Sequence, residues 1–167
     1  LTLMSDASHH DDRDDAGTTC GYALFLGNYC LATKAKKKKT IQSSTMGDEV
    51  RAVHDPLPFA FHLMTLAQGL GWNFNEPLHV LCDNQSVCKA ASGAKITEVS
   101  RFLKPQYLKL RQLVARIMAR LGYISSERNT ADITTKATLT LERLTRHYTT
   151  IMKGAKYEDL QPDIWYS

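Results

Sequence analysis

In HVLCDNQSVC, residues 79–88, an apolar, β-branched run with the composition of a buried strand ends at Asp83. Ser86 then opens a helical pattern. A carboxylate just beyond a core strand stands where α/β sheets gather their chemistry. Three more acids hold comparable places: Asp6 in or after a first strand-like run (SDA), Glu49 in the first turns of a long helical segment (GDEVRAV), and Asp132 at the start of the last helical region (NTADITTK). Such groups suit metal ions, and metal ions suit phosphates. Taken singly, each acid also has an ordinary use: Asp132 as an N-cap, Asp83 as a turn former, Glu49 as a favourable charge at a helix N-terminus.

Charge is segregated along the chain. Residues 1–15 hold five Asp against one Arg, a local −4 in a chain of formal net charge +4, so the remainder carries +8. A basic body around an acidic focus suits a polyanion held near cations, although for charge alone a solvated surface with an uneven pattern is the ordinary reading. At 167 residues the chain fits one compact unit, able to bury about two thirds of its unfolded surface. Cys20, Cys30, Cys82 and Cys88 lack paired metal-site spacing and read as reduced, packed thiols, which argues for an intracellular setting. No apolar stretch approaches the roughly 20 residues that cross a bilayer, and the N-terminus lacks the order of a signal peptide. The chain starts in a strand-like run without Met and reads as a piece of something longer.

The elements that must position the acids follow from periodicity. Residues 1–7 form a strand; residues 20–26 and 29–33 form a hairpin around Gly27-Asn28. KAKKKK, residues 34–39, belongs to the strand end or a loop. Residues 46–70 are helical, interrupted by Pro56 and Pro58. Residues 79–82 form a fourth strand and 86–91 a short helix. Residues 101–121 carry the cleanest helical stripe, with Lys104, Lys109, Arg111, Arg116 and Arg120 on its other face. A last strand near 122–125 precedes helical segments at Asp132 and at 139–152. Residues 1–152 form the domain and 153–167 a tail. This order predicts an α/β mixed sheet with helices on its faces.

With their flanking residues, the acids resemble the ribonuclease H domain of copia-type (Ty1/copia) LTR-retrotransposon Pol polyproteins, over about residues 4–152. Four blocks in order carry the resemblance: SDASHHDDRDDAGTTCGYALFLG (5–27), KAKKKKTIQSSTMGDEVRAV (34–53), CDNQSV (82–87) and ADITTK (131–136). Departures are Gly47 in place of the family's first helix acid, Ala137 in place of a Pro, and SRFLKPQYLKL (100–110), where Phe102 and Gln106 replace a His and an Arg. The resemblance implies a ribonuclease H-like fold: a five-stranded mixed sheet, three antiparallel and two parallel strands, with helices on both faces. It implies that Asp6, Glu49, Asp83 and Asp132 form the catalytic, metal-ligating cluster for two Mg²⁺ ions, with Mn²⁺ as a substitute. Asp6 would bridge the ions, Glu49 and Asp83 lying to one side and Asp132 to the other.

The implied activity is metal-dependent endonucleolytic hydrolysis of the RNA strand of RNA–DNA hybrids during reverse transcription. Implied partners are the hybrid and a reverse transcriptase domain of the parent polyprotein, in a cytoplasmic virus-like particle or the nucleus. Asn84, Gln85 and Ser86 beyond Asp83, and Ser44 and Thr45 before Glu49, have short polar groups suited to sugar or phosphate contacts, and equally to helix capping. Lys36, Lys37, Lys38, Lys39, Arg101 and Lys104 would hold phosphates farther from the cut, each having a solvated surface as its alternative role. His9, His10, His54 and His62 read as surface or packing residues. The competing readings are a catalytically degenerate or domesticated module that binds nucleic acid or scaffolds a reverse transcriptase, and another phosphotransfer enzyme on the same fold.

Overall fold

A computed structural model describes residues 1–9, 17–38, 45–93 and 103–166. Three strands come first: β1 (Thr2–His9), β2 (Thr18–Leu26) and β3 (Tyr29–Lys38). Helices α1 (Thr45–His54) and α2 (Leu57–Gly69) lead to β4 (Leu78–Cys82) and α3 (Gln85–Ala91). Then follow α4 (Lys104–Ala115), β5 (Ala119–Tyr123), α5 (Asp132–Thr135) and α6 (Leu141–Lys153). A 3₁₀ turn (Tyr157–Leu160) and β6 (Ile164–Tyr166) complete the chain.

The six strands lie in the order β3-β2-β1-β4-β5-β6. The β1–β2, β2–β3 and β5–β6 pairs are antiparallel, whereas β1–β4 and β4–β5 are parallel. The mixed α/β architecture is as expected, but the expected five strands are six. β6 comes from the segment that reads as a tail: Leu121, Gly122 and Tyr123 pair with Tyr166, Trp165 and Ile164. Three residues carry too little alternation to announce a strand. Trp165 holds this edge by an edge-on contact with His79, at 4.8 Å between centroids, and by the Arg120 guanidinium 4.2 Å over its ring.

Alternation along the strands divides the core between the two sheet faces. Leu3, Leu24, Val80 and Leu121 pack with Val50 and Val53 of α1, Val87 and Cys88 of α3, and Tyr107 and Leu110 of α4. Met4, Ala23, Phe25 and Leu81 pack on the opposite face with Ile124, Ala131, Ala155 and Leu160. The central parallel strand β4 is covered on both sides, which explains its unbroken apolar run.

Two boundaries have clear physical causes. Pro56 separates α1 from α2, and Pro58 falls in the first turn of α2, where a missing N–H costs little. The helix expected over 101–121 is instead α4 alone, and among the described residues it ends at Ala115. Ile117 turns to φ 55° and the chain reverses, which sets Leu121 beside Val80 in the parallel ladder. A five-residue strand fits a helical stripe as well as a strand pattern, so period alone could not divide the segment. Arg120 therefore lies on β5 and Arg116 at the helix end, so the basic residues expected on one helix face are divided between two elements.

Gly21, opposite Asp6 in the register, lets α5 lie directly on the sheet. A Cβ there would overlap Thr134 Oγ1 and come 2.7 Å from Thr135 Cγ2. Gly21→Ala is expected to lower stability by about 1–3 kcal/mol by lifting α5. Gly69→Ala, with open space around it, is the control. Thermal melts of the two variants check this: equal melting temperatures would show that α5 yields freely.

The Cys82 and Cys88 sulfurs lie 3.3 Å apart as thiols, and Cys20 and Cys30 likewise form no disulfide. Among the described residues no helix is long and apolar enough to cross a membrane.

Candidate metal centre

The site assembles from four separate elements because each presents one acid at the same end of the sheet. Asp6 shares the strand face of Met4 two residues earlier, so it points toward α5. Asp83 follows the last residue of β4, and Ser5 pairs with Cys82, which sets Asp83 next to Asp6 across the parallel ladder. Asp132 opens α5, packed over β1 and β2. One oxygen each from Asp6, Asp83 and Asp132 lies within 4.8 Å of the other two. Asp6 and Asp132 are buried and Asp83 is half-buried.

Glu49, on α1, is outside that set of three but close enough to be governed by it. Burial, then the charges of Asp83 and Asp6, push its carboxyl up to about 9. Burial and the Asp83 charge raise Asp6, against the opposing Thr135 hydrogen bond. Burial and the Asp6 charge raise Asp132 to about 6. Carboxylates this crowded resist ionising together, and a cation between them removes the conflict.

Neighbouring donors orient the acids. Thr135 Oγ1 donates to Asp6 Oδ2, and Ser126 Oγ donates to Asp83 Oδ2 at 2.6 Å. Lys136 Nζ lies 2.8 Å from Asp132 Oδ2, and Arg143 donates to the same oxygen. Burial pulls the Lys136 ammonium down, but its hydrogen bond to Asp132 and the charges of Asp6, Asp132 and Asp83 outweigh this and raise it. Asn129 Nδ2 donates to the Ser5 carbonyl at 2.9 Å, tying the loop before α5 to β1. Asp132 Oδ1 is buried with no hydrogen-bond partner among the described residues. A buried carboxylate with an orphaned oxygen, gathered with two other carboxylates, fits a hard divalent cation such as Mg²⁺.

Sequence reasoning did not single out Thr135, Lys136, Ser126, Asn129 or Arg143. The four-residue spacing of Lys136 from Asp132 on a helix was a usable signal. Nothing in sequence joins Arg143 or Ser126 to the site. His147 was missed as well. It is buried on α6, and burial, then Arg143, Arg146 and Lys136, hold its imidazole down to about 4, hence neutral at pH 7.

The expected nucleic-acid contacts divide. Asn84 caps α3, its Oδ1 accepting from the Ser86 and Val87 amides at 3.0 and 3.2 Å, while Gln85 and Ser86 are exposed. Lys36 and Lys37 are exposed on β3. Through Cys20 and Thr19, the register sets them level with Ala7 and Ser8, roughly 10 Å to the side of β1. Lys38 ends β3, and Lys104 begins α4 and is exposed. Thr45 begins α1. Ser44, Lys39 and Arg101 lie outside the described residues, as do the side chains of Lys38 and Thr45.

Comparison with known proteins agrees with this architecture. No protein-family model matches the chain. It is 26% identical over 136 residues, 81% of its length, to the retrovirus-related Pol polyprotein from transposon RE1 of Arabidopsis thaliana, and equally to that from transposon RE2. Both are copia-type Pol polyproteins, the kind of protein that the four blocks resemble. The chain spans 9% of the length of these relatives. RNase H1 of Halobacterium salinarum superposes with a TM-score of 0.60 at 17% identity, covering 80% of this chain and 92% of that one. The N-terminal RNase H domain of a Mycobacterium tuberculosis protein gives 0.57 at 14%, covering 89% and 96%. LC11-RNase H1, crystallised with an RNA/DNA hybrid, gives 0.58 at 15%, covering 80% and 92%. The fold is ribonuclease H-like.

Proposed function

We propose that this relative of copia-type Pol polyproteins, with its ribonuclease H-like fold, is a metal-dependent ribonuclease H that hydrolyses the RNA strand of RNA–DNA hybrids. The observation that carries the reading is the meeting of one oxygen each from Asp6, Asp83 and Asp132 within 4.8 Å, Asp132 also keeping a buried, unpartnered oxygen. Asp6, Asp83 and Asp132 would hold divalent ions, Mg²⁺ or its substitute Mn²⁺, with Glu49 beside them. When bound, such ions supply an activated water and stabilise the departing oxyanion. The protein's own part is positioning. Thr135 and Ser126 fix the rotation of Asp6 and Asp83 through one oxygen of each. Lys136 and Arg143 neutralise Asp132, lowering the cost of bringing the acids together in the free protein.

Lys36 and Lys37, roughly two strands away, supply positive charge beside the cluster for the hybrid's backbone. Contacts by exposed Gln85 and Ser86 would reach the sugar edge, where the 2′-hydroxyl separates RNA from DNA. A reverse transcriptase domain in a longer polyprotein is the natural partner of this chemistry.

The test is a gel assay on a labelled hybrid with Mg²⁺, with chelator, and with Mg²⁺ restored. The expected result is internal cutting of the RNA strand only when Mg²⁺ is present, leaving 3′-hydroxyl and 5′-phosphate ends. Duplex DNA should remain intact. A second reading, a module that binds hybrids without turnover, draws on the two cations already held by Asp132. Metal-independent binding without cleavage in the same assay would establish it instead.

A further inference from the structure

The three aspartates are not equally compensated. Asp6 Oδ2 and Asp83 Oδ2 accept hydrogen bonds from neutral hydroxyls. Asp132 Oδ2 takes two cations, Lys136 and Arg143, so one negative charge faces two positive ones. These cations differ in attachment. Lys136 sits four residues from Asp132 on a side chain that is partly exposed. Arg143 projects from α6, and the same Nη2 also donates to the Ser126 carbonyl at 2.8 Å. Ser126 in turn holds Asp83 through its hydroxyl. One guanidinium thus ties Asp132 to the support of Asp83, across the width of the cluster.

We propose that Arg143 is a positioning residue and fixed counter-charge that makes divalent-ion binding to this chain stepwise. Resting on the metal-centre reading above, the inference assigns each half of the cluster a strength. The Asp6–Asp83 half, kept in place through Ser126, takes the first ion. The Asp132 half, already neutralised, takes a second ion only weakly in the free protein.

The test is calorimetric titration of Mn²⁺ into the full, metal-free chain without nucleic acid, with thermal melts to confirm folding. Wild type is expected to bind in two steps whose affinities differ by at least about tenfold, the scale of one charge-assisted contact. Arg143→Met should shrink that gap by about tenfold, the second step tightening as a charge is removed and the first weakening as Ser126 loosens. Arg143→Lys should retain most of the gap. If Arg143→Met does not fold, Lys136→Met serves, because it removes the other cation on the same oxygen without touching Ser126. It should tighten the second step alone. A folded Arg143→Met chain with the wild-type gap overturns the proposal, as do equal steps in wild type. If Arg143→Met is unfolded, an unchanged gap in Lys136→Met overturns it. In all these cases the nuclease reading survives, since ions still bind. Absence of any Mn²⁺ binding to wild type would overturn both.

Discussion

Asp83→Asn is expected to reduce hybrid cleavage by about 1,000-fold or more, a loss of ~4 kcal/mol of transition-state stabilisation, while the chain stays folded. The change is nearly isosteric, and an amide oxygen can still accept from Ser126 Oγ, the 2.6 Å contact that orients the wild-type side chain. Asp83 is half-buried, at the end of a strand whose apolar packing the substitution does not touch. Its charge raises both Asp6 and Glu49, so removing it relieves the metal-free site. Stability should therefore hold or rise as cleavage collapses, the opposite of what a packing defect produces. Single-turnover assays with melts in chelator separate the two effects. A folded variant that cuts at the wild-type rate would remove Asp83 from the chemistry, and with it the proposed function.

The second large effect is a pH dependence confined to the metal-free protein. Glu49 moves from its ordinary 4.5 to about 9, chiefly through burial and then through Asp83 and Asp6. A carboxyl raised on folding binds a proton more tightly in the native state than in the unfolded one. Its stabilising contribution is complete below about pH 4.5 and is lost as pH climbs through about 9. Asp132 acts in the same sense up to about 6. Below about pH 6.5 this trend is opposed by His147, held down to about 4, whose contribution is lost on acidification. The window free of His147 is therefore pH 7 to 9, where burial also lowers the Leu1 amino group from 8.0 and opposes the trend over the lower half. Across it the metal-free chain should lose up to ~3 kcal/mol, one proton over two pH units. Glu49→Gln should abolish most of that slope and melt higher than wild type at pH 9. Saturating Mg²⁺ should also flatten it, because a bound cation favours the ionised carboxylates. Melting curves in chelator from pH 7 to 9 check the sign, and a temperature that holds or rises with pH would refute it.

Some of this was written in local sequence. The Gly27-Asn28 hairpin, the Pro56 interruption and the apolar run of β4 each depend on residues within a few positions of one another. Steric and hydrogen-bonding rules act over that range, so the chain alone discloses them. The acids were legible for a different reason: Asp6, Glu49, Asp83 and Asp132 stand in four blocks whose order resembles that of copia-type ribonuclease H domains. Where a single segment satisfied two periods, local reading failed. The expected helix over 101–121 gave up Leu121 to a strand because Val80, about forty positions earlier, was there to pair with it.

What only the folded chain decided is which groups stand around the acids. Asp6 meets Thr135 across 129 positions, Asp83 meets Ser126 across 43, and Asp132 meets Arg143 from a separate helix. These contacts arise from how α5 and α6 pack; Gly21, by having no side chain, permits the approach of α5 to the sheet, and no local pattern encodes it. The sequence by itself determined the kind of donor available, oxygen anions suited to hard cations. The tertiary structure determined that three of them share one small volume and that one already faces two positive charges, because Coulomb energy depends on distance through space and not along the chain.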